Sequence, residues 1–289
     1  MSVNLVKKSL SDIVKNPTIT LFLVLYFIII SIMMATMGYQ SNMIIATTLA
    51  LTSFLFVAIF ISGWLKMIKE VALKKQEDEN IEQEENNESK RSLSAVFLEG
   101  IGENVIPFII AISIYMIFSF IFAYAALLIS MKYFGNPQEL IMNAQNSPNL
   151  AEYINGLSQD DLVKLYAFPL SFMISVILCM FTFMYYFPAI AFNSKNGIFL
   201  KPFVAIKDNF CFLFKHFGKS ILIYLSLCII NAVVAIIKKA YLPSHVLIDI
   251  LYIFYVVYFL SFSVMLICNY YGKNYSCNNG GDCLGENKS

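Results

Sequence analysis

Charge is scarce in this sequence. Of 289 residues only 13% are Asp, Glu, Lys or Arg, against about 25% in a soluble globular domain, which excludes an ordinary soluble fold. Tryptophan occurs once and histidine twice. His216 and His245 are too far apart for an HExxH zinc motif, and neither a Gly-rich phosphate loop nor a nucleophile elbow is present. The one Glu-Glu pair, Glu84–Glu85, lies in a polar stretch away from the apolar tracts. Acidic and basic residues nearly cancel, 19 against 20, so bulk charge gives no pull toward nucleic acid. No catalytic residue, cofactor or metal site is expected.

What the chain has in abundance is apolar sequence. Hydrophobic residues make up 58% of it, with 26 Phe and 17 Tyr. They gather in six tracts: Thr18 to Met37, Met43 to Leu65, Val105 to Met131, Leu165 to Phe192, Ile221 to Ile237 and Val246 to Tyr271. About 20 apolar residues cross the roughly 30 Å of a bilayer core as a helix. In hydrocarbon every backbone donor and acceptor needs an internal partner, so such tracts are helices or barrel strands. These are too long and too continuously apolar for strands that alternate at every second residue. The expected fold is an all-α polytopic membrane helical bundle with six transmembrane helices. The first tract follows Lys7 and Lys8 and is succeeded at once by a second span, so it reads as an uncleaved signal anchor.

Sixteen of the 20 Lys and Arg residues fall in the N-terminal tail, the segments after spans two and four, and the C-terminal tail. The positive-inside rule then puts both termini in the cytoplasm of a cell-membrane protein. Trp64, followed by Lys66 and Lys69, reads as an anchor at the inner interface.

Short amphipathic segments precede three of the spans. Val3, Val6, Leu10, Ile13 and Val14 share one face before Pro17 opens the first span. "LSDIVKN" (Leu10 to Asn16) and "LEGIGEN" (Leu98 to Asn104) keep Leu, Ile and Asn in register, and "IFLKPFVAIKDNFCFLFKHFGKS" precedes span five. The plan is thus three copies of an interfacial helix plus a transmembrane hairpin, or simply three juxtamembrane segments that are amphipathic and basic. Residues 74–91, "KKQEDENIEQEENNESKR", are too polar to bury a core and read as a disordered cytoplasmic linker. Residues 132–164 form an external cap, in which Ser158 and Asp161 mark the start of a helix. Residues 272–289 read as a flexible cytoplasmic tail holding Cys277 and Cys283, whose spacing matches no common zinc pattern.

Few polar residues sit at membrane depth. Asn231 lies in mid-span five and should bond another helix or a cavity water. His245 and Asp249 lie four apart at the outer start of span six, level with Lys238 and Lys239 at the end of span five. These four read as interfacial residues or as a proton or anion relay. Lys195, Lys201, Lys207, Lys215 and Lys219 interleave with six phenylalanines and form a surface for anionic lipid or for a cytoplasmic partner. "Small-xxx-small" spacing at Ala46–Ala50 and Ser119–Ala123 points to close helix packing.

"SLSDIVKNP" before span one and "FPAIAFNSKNGIFLKPFVAIKDNF" after span four carry a resemblance. The chain resembles a loose group of bacterial and archaeal six-span proteins, the YciC-type family and the membrane domains attached to glycerophosphodiester phosphodiesterases. The resemblance implies a six-span fold. It transfers no activity and no catalytic residue, because the soluble phosphodiesterase domain is not in this sequence. The function expected is that of a non-enzymatic integral membrane protein, engaged in envelope organisation or in handling a lipid or small amphiphile. The alternatives are a permease subunit working with a cytoplasmic ATPase and a lipid-modifying enzyme. Membrane lipids are the expected partners, with a second copy or a cytoplasmic protein beside them.

Overall fold

The computed structural model describes residues 3–39, 42–78, 92–193, 197–241 and 246–278. Every regular element among them is a helix: α1 (Val3–Lys15), α2 (Pro17–Gly38), α3 (Met43–Asp78), α4 (Leu93–Phe134), α5 (Gln138–Asn146), α6 (Leu150–Asn155), α7 (Gln159–Thr182), α8 (Tyr186–Phe192), α9 (Lys201–Lys215), α10 (Phe217–Tyr241) and α11 (Val246–Asn278). Six stretches are long and apolar enough to cross a membrane, namely Pro17–Gly38, Met43–Leu73, Leu93–Phe134, Gln159–Phe192, Phe217–Ala240 and Ile248–Asn274. Large aliphatic side chains such as Ile28, Ile32, Leu51, Leu55, Ile229, Ile236 and Leu251 stand exposed along them. A soluble monomer rarely exposes apolar surface on this scale. The protein is an all-α, multi-pass membrane protein.

The chain divides into two compact units, Met1–Ala111 with Met184–Ser289, and Ile112–Phe183. In the smaller unit α4 ends at Phe134, and Gly135 turns the chain with φ +91°, a conformation that costs glycine little. Ser158 caps α7: its hydroxyl accepts the Asp161 N–H at 3.2 Å and donates to the Asp161 carboxylate at 2.7 Å, a capping arrangement with Asp in the place of Glu. Asn149 caps α6 in the same manner. The Ser119 hydroxyl lies 3.4 Å from the Cys179 sulfur, so the Ser119 strip does approach α7. Of the other such pair, which lies in the larger unit, Ala46 is half-buried and Ala50 is exposed.

In the larger unit, breaks between helices set the architecture. Asn16 leaves helical geometry (φ −123°, ψ 64°) and its side chain donates to the Asp12 carbonyl at 2.7 Å. Pro17 disfavours a helical residue before it, so α1 ends here and α2 begins. The second juxtamembrane segment behaves differently: it is not a separate interfacial helix but the first turns of the continuous α4, with Pro107 inside the helix. There Asn104 stays helical, two residues separating it from the proline. The third segment is again a separate helix, α9, divided from α10 at His216 (φ −115°, ψ 26°).

The fourth tract is likewise not one helix. Residues 183–185 interrupt it. Pro188 has no N–H for the Met184 carbonyl, and its ring crowds that carbonyl. The chain therefore restarts as α8, with Pro188 harmless in the first turn. Helix α3 continues to Asp78, into the expected linker, and α11 continues to Asn278, past the expected start of the tail. The rest of both segments lies outside the described residues.

Candidate functional site: a polar layer at the basic end

The helix ends that carry most of the lysines also carry most of the buried polar residues of the larger unit, Ser53 and Ser261 being the mid-span exceptions. The arrangement starts from a helix crossing. A Cβ on Gly100 would lie 2.5 Å from Lys66 Cβ and 2.9 Å from the Ser62 carbonyl oxygen, and one on Gly63 would lie 2.8 Å from the Phe97 carbonyl oxygen. Helices α3 and α4 therefore touch backbone to backbone, as small residues allow in membranes. The crossing sets Lys66 against two carboxylates of α4, Glu103 at 2.8 Å and Glu99 at 3.6 Å. Trp64, two residues earlier, is 5% exposed and donates its indole N–H to the Ile19 carbonyl at 3.0 Å. It is an internal tie between α3 and α2, not the lipid-facing anchor its position suggests.

Helix α8 is buried from Tyr186 through Phe192 apart from the half-buried Phe187. The Lys69 ammonium donates to the Ala191 carbonyl at 2.9 Å and lies 5.7 Å from the Phe192 ring centroid. A Cβ on Gly272 of α11 would come within 2.8 Å of the same ring, so α11 has glycine where Phe192 packs. Asn209 of α9, fully buried, accepts the Tyr185 N–H at 3.0 Å. Tyr185 and Ser220 hydroxyls lie 2.9 Å apart. Ser220 uses its proton on the His216 carbonyl, so Tyr185 is the donor of that pair. Asn269 of α11 donates to Ser9 at 3.0 Å and to the Asp12 carboxylate at 3.1 Å. Asp12, which sequence spacing places away from the apolar face of α1, is thus buried, while Val3, Leu10 and Val14 stand exposed.

Helix α9 has two faces. Ala205, Asn209, Phe212 and Leu213 are buried, whereas Phe203, Lys207, Phe214 and Lys215 are exposed, followed by Phe217 and Lys219. Lys201 is the exception among the expected surface lysines: it is 9% exposed and donates to Asn104 Oδ1 at 3.3 Å. Two titratable groups on this segment are shifted. Burial lowers the pKa of His216, reinforced by Lys215 and Lys219. Burial raises that of Asp208, opposed by Lys207 and a hydrogen bond from Asn193.

The expected intramembrane cluster is only partly assembled. Lys238 and Asp249 form an ion pair at 2.7 Å, with the ammonium 4.5 Å from the Tyr252 ring centroid. Lys239 and Asn231 are exposed, and the Asn231 amide makes no hydrogen bond among the described residues. His245 and Lys195 lie outside the described residues, as do the side chains of Cys277 and Cys283. Cys179 and Cys268 are buried, Cys228 is half-buried and Cys211 is exposed.

Sequence reasoning missed the buried polar residues Ser9, Asp12, Asn104, Asn209 and Asn269. The one available signal was in α9, where residues 205, 209, 212 and 213 share a face by their spacing. No family profile, curated protein or solved structure matches the chain.

Proposed function

We propose that this chain is a non-enzymatic integral protein of the cell membrane that gathers anionic lipid at its basic end, with both termini in the cytoplasm. One observation carries the reading. Helix α9 is held to the body by a buried face and turns Phe203, Lys207, Phe214 and Lys215 outward. Aromatic rings enter the headgroup region, and each lysine near an anionic surface contributes about 1 kcal/mol. Helix α1 repeats the pattern, anchored through Ser9 and Asp12 with Leu10 and Val14 outward. The excess of lysine and arginine at this end supports the cytoplasmic assignment.

The test is purification of the full chain from native membranes, with quantitative mass spectrometry of the lipids and proteins that remain bound. Anionic lipid enriched over the bulk membrane, and lost in a Phe203→Ser/Phe214→Ser variant, is the expected result. A bound lipid pool identical to the bulk membrane overturns the reading. Stoichiometric recovery of an ATPase replaces it with the permease alternative.

A further inference from the structure

Two lysines of the polar layer each lack a carboxylate partner among the described residues. Lys69, half-buried on α3, donates to one neutral oxygen, the Ala191 carbonyl. Lys201, buried at the start of α9, donates to one neutral oxygen, the side chain of Asn104. The carboxylates of Glu99 and Glu103 lie against Lys66 instead. Lys66, which takes both carboxylates, precedes Lys69 by one turn of α3, and Asn104, which receives Lys201, directly follows Glu103 on α4.

An ammonium has three donors, and each of these two lysines uses one within the described chain. Burying a charge in this way is costly unless it is matched. Three helices converge to create the condition: α3 brings Lys69, α4 brings Asn104, and α9 brings Lys201 at an N-terminus with no side-chain cap. That N-terminus adds positive potential of the same sign.

We propose that Lys69 and Lys201 form a binding site for a phosphate-type oxyanion. Such a group supplies the two elements that the site lacks, a negative charge and several acceptor oxygens, and lysine meets it as a point charge without demanding one fixed geometry. The half-buried Lys69 gives access. The phosphate of an anionic lipid headgroup and free phosphate present the same chemistry. The inference deepens the lipid reading above and shares with it only the choice of ligand class, since its residues are not those of the exposed α9 face.

The full chain in detergent micelles is titrated with phosphatidylglycerol, with phosphatidylcholine and, separately, with inorganic phosphate against chloride at equal ionic strength; thermal stabilisation is the readout. For the wild type, stabilisation by phosphatidylglycerol assigns the site to a headgroup, and stabilisation by inorganic phosphate alone assigns it to a soluble anion. Lys69→Gln and Lys201→Gln are each expected to weaken the effective ligand about tenfold, and Lys69→Arg and Lys201→Arg to retain it. The arginine variants keep the test valid if a glutamine variant fails to fold. Lys207→Gln/Lys215→Gln reports on the exposed α9 face of the lipid reading, and Lys132→Gln, in the last turn of α4, is the control expected to keep the wild-type response. If neither ligand stabilises the wild type, or if the glutamine variants respond as the wild type does, the site is overturned. If only Lys207→Gln/Lys215→Gln loses the response, the site fails while the lipid reading stands.

Discussion

The side-chain oxygen of Asn209 lies 3.0 Å from the backbone nitrogen of Tyr185 and accepts its N–H. Residues 183–185 form a turn between α7 and α8 ahead of Pro188 and are buried, so an unpaired backbone donor there would be costly. Irregular backbone in a membrane protein persists only where protein or water satisfies it. Asn209→Leu removes the acceptor while keeping the volume, and is expected to cost about 1–3 kcal/mol of stability. Asn209→Asp retains an acceptor oxygen and is expected to cost less. Thermal unfolding of the full chain in detergent distinguishes the two; equal loss in both would show that the contact to Tyr185 is not what matters.

Gly100 and Gly102 provide a matched pair on one helix. A Cβ at Gly100 meets Lys66 Cβ at 2.5 Å, the Ser62 carbonyl at 2.9 Å and Gly63 Cα at 3.0 Å, whereas nothing lies within 4 Å of one at Gly102. Backbone atoms cannot rotate away, so Gly100→Ala is expected to destabilise by about 1–3 kcal/mol through overpacking. Gly102→Ala is expected to be neutral or to gain up to about 1 kcal/mol from helix propensity. Midpoints that move alike would refute the close crossing of α3 and α4.

Helix α1 is held to α11 by charge-assisted hydrogen bonding. Asn269 donates both to Ser9 and to the Asp12 carboxylate. Asn269→Asp sets a second carboxylate against the first, so it is expected to release α1 at neutral pH more completely than Asn269→Ala does. Faster hydrogen exchange confined to residues 3–15 is the expected signature. Unchanged protection in both variants would mean that apolar contact alone seats the helix.

His216 gives the basic end a response to acid. Its folded-state pKa lies below the ordinary histidine value because burial disfavours the imidazolium, with Lys215 and Lys219 adding repulsion. A basic group depressed in this way prefers the folded state when neutral. The contribution is therefore fully present above the unfolded value of about 6.5 and is lost as pH falls from there through the folded pKa. Asp208, whose folded pKa is raised by burial, acts in the opposite direction: protonation favours its folded form, and that contribution is lost as pH rises through its folded pKa. The His216 ring packs on Phe212 at 4.6 Å between centroids, and its buried Nε2 makes no hydrogen bond among the described residues. His216→Phe keeps the packing and is expected to flatten the fall in midpoint between pH 7.5 and 5.5. The same slope in wild type and variant would place the titration elsewhere.

Much of this architecture was legible because the signal is additive. Tracts of about 20 apolar residues leave the chain one low-cost solution in lipid, and lysine blocks mark where each helix leaves it. The Ser158 cap was legible because it is local. What could not be read depends on neighbours distant in the chain. Lys201 and Lys207 look alike in sequence, yet one is buried against Asn104 and the other is exposed. Asp12 looks like a solvated charge until Asn269 is brought to it from the far end of the chain. Pro188 marked the end of a span but not the break before it, because a proline in a first turn and a proline in mid-helix have the same neighbours until the carbonyl four residues back is placed. Gly63 and Gly100 carried no period of their own, since close approach is a property of two helices together.

Asn231 offers the most direct test of a single polar group in this chain. It sits in mid-α10 among exposed aliphatic residues, Ile229, Ile230 and Val233, and makes no hydrogen bond among the described residues. An amide facing hydrocarbon without a partner costs about 0.5–2 kcal/mol on scales that allow partial compensation. Asn231→Leu removes that cost and adds apolar surface to a lipid-facing position. The variant reconstituted in bilayers is expected to show a raised unfolding midpoint. A lowered midpoint would mean that the amide is matched from outside the chain, by a second copy or by another membrane helix. Cysteine cross-linking at Ala232, one residue away on the same exposed stretch, would then identify which of the two supplies the partner.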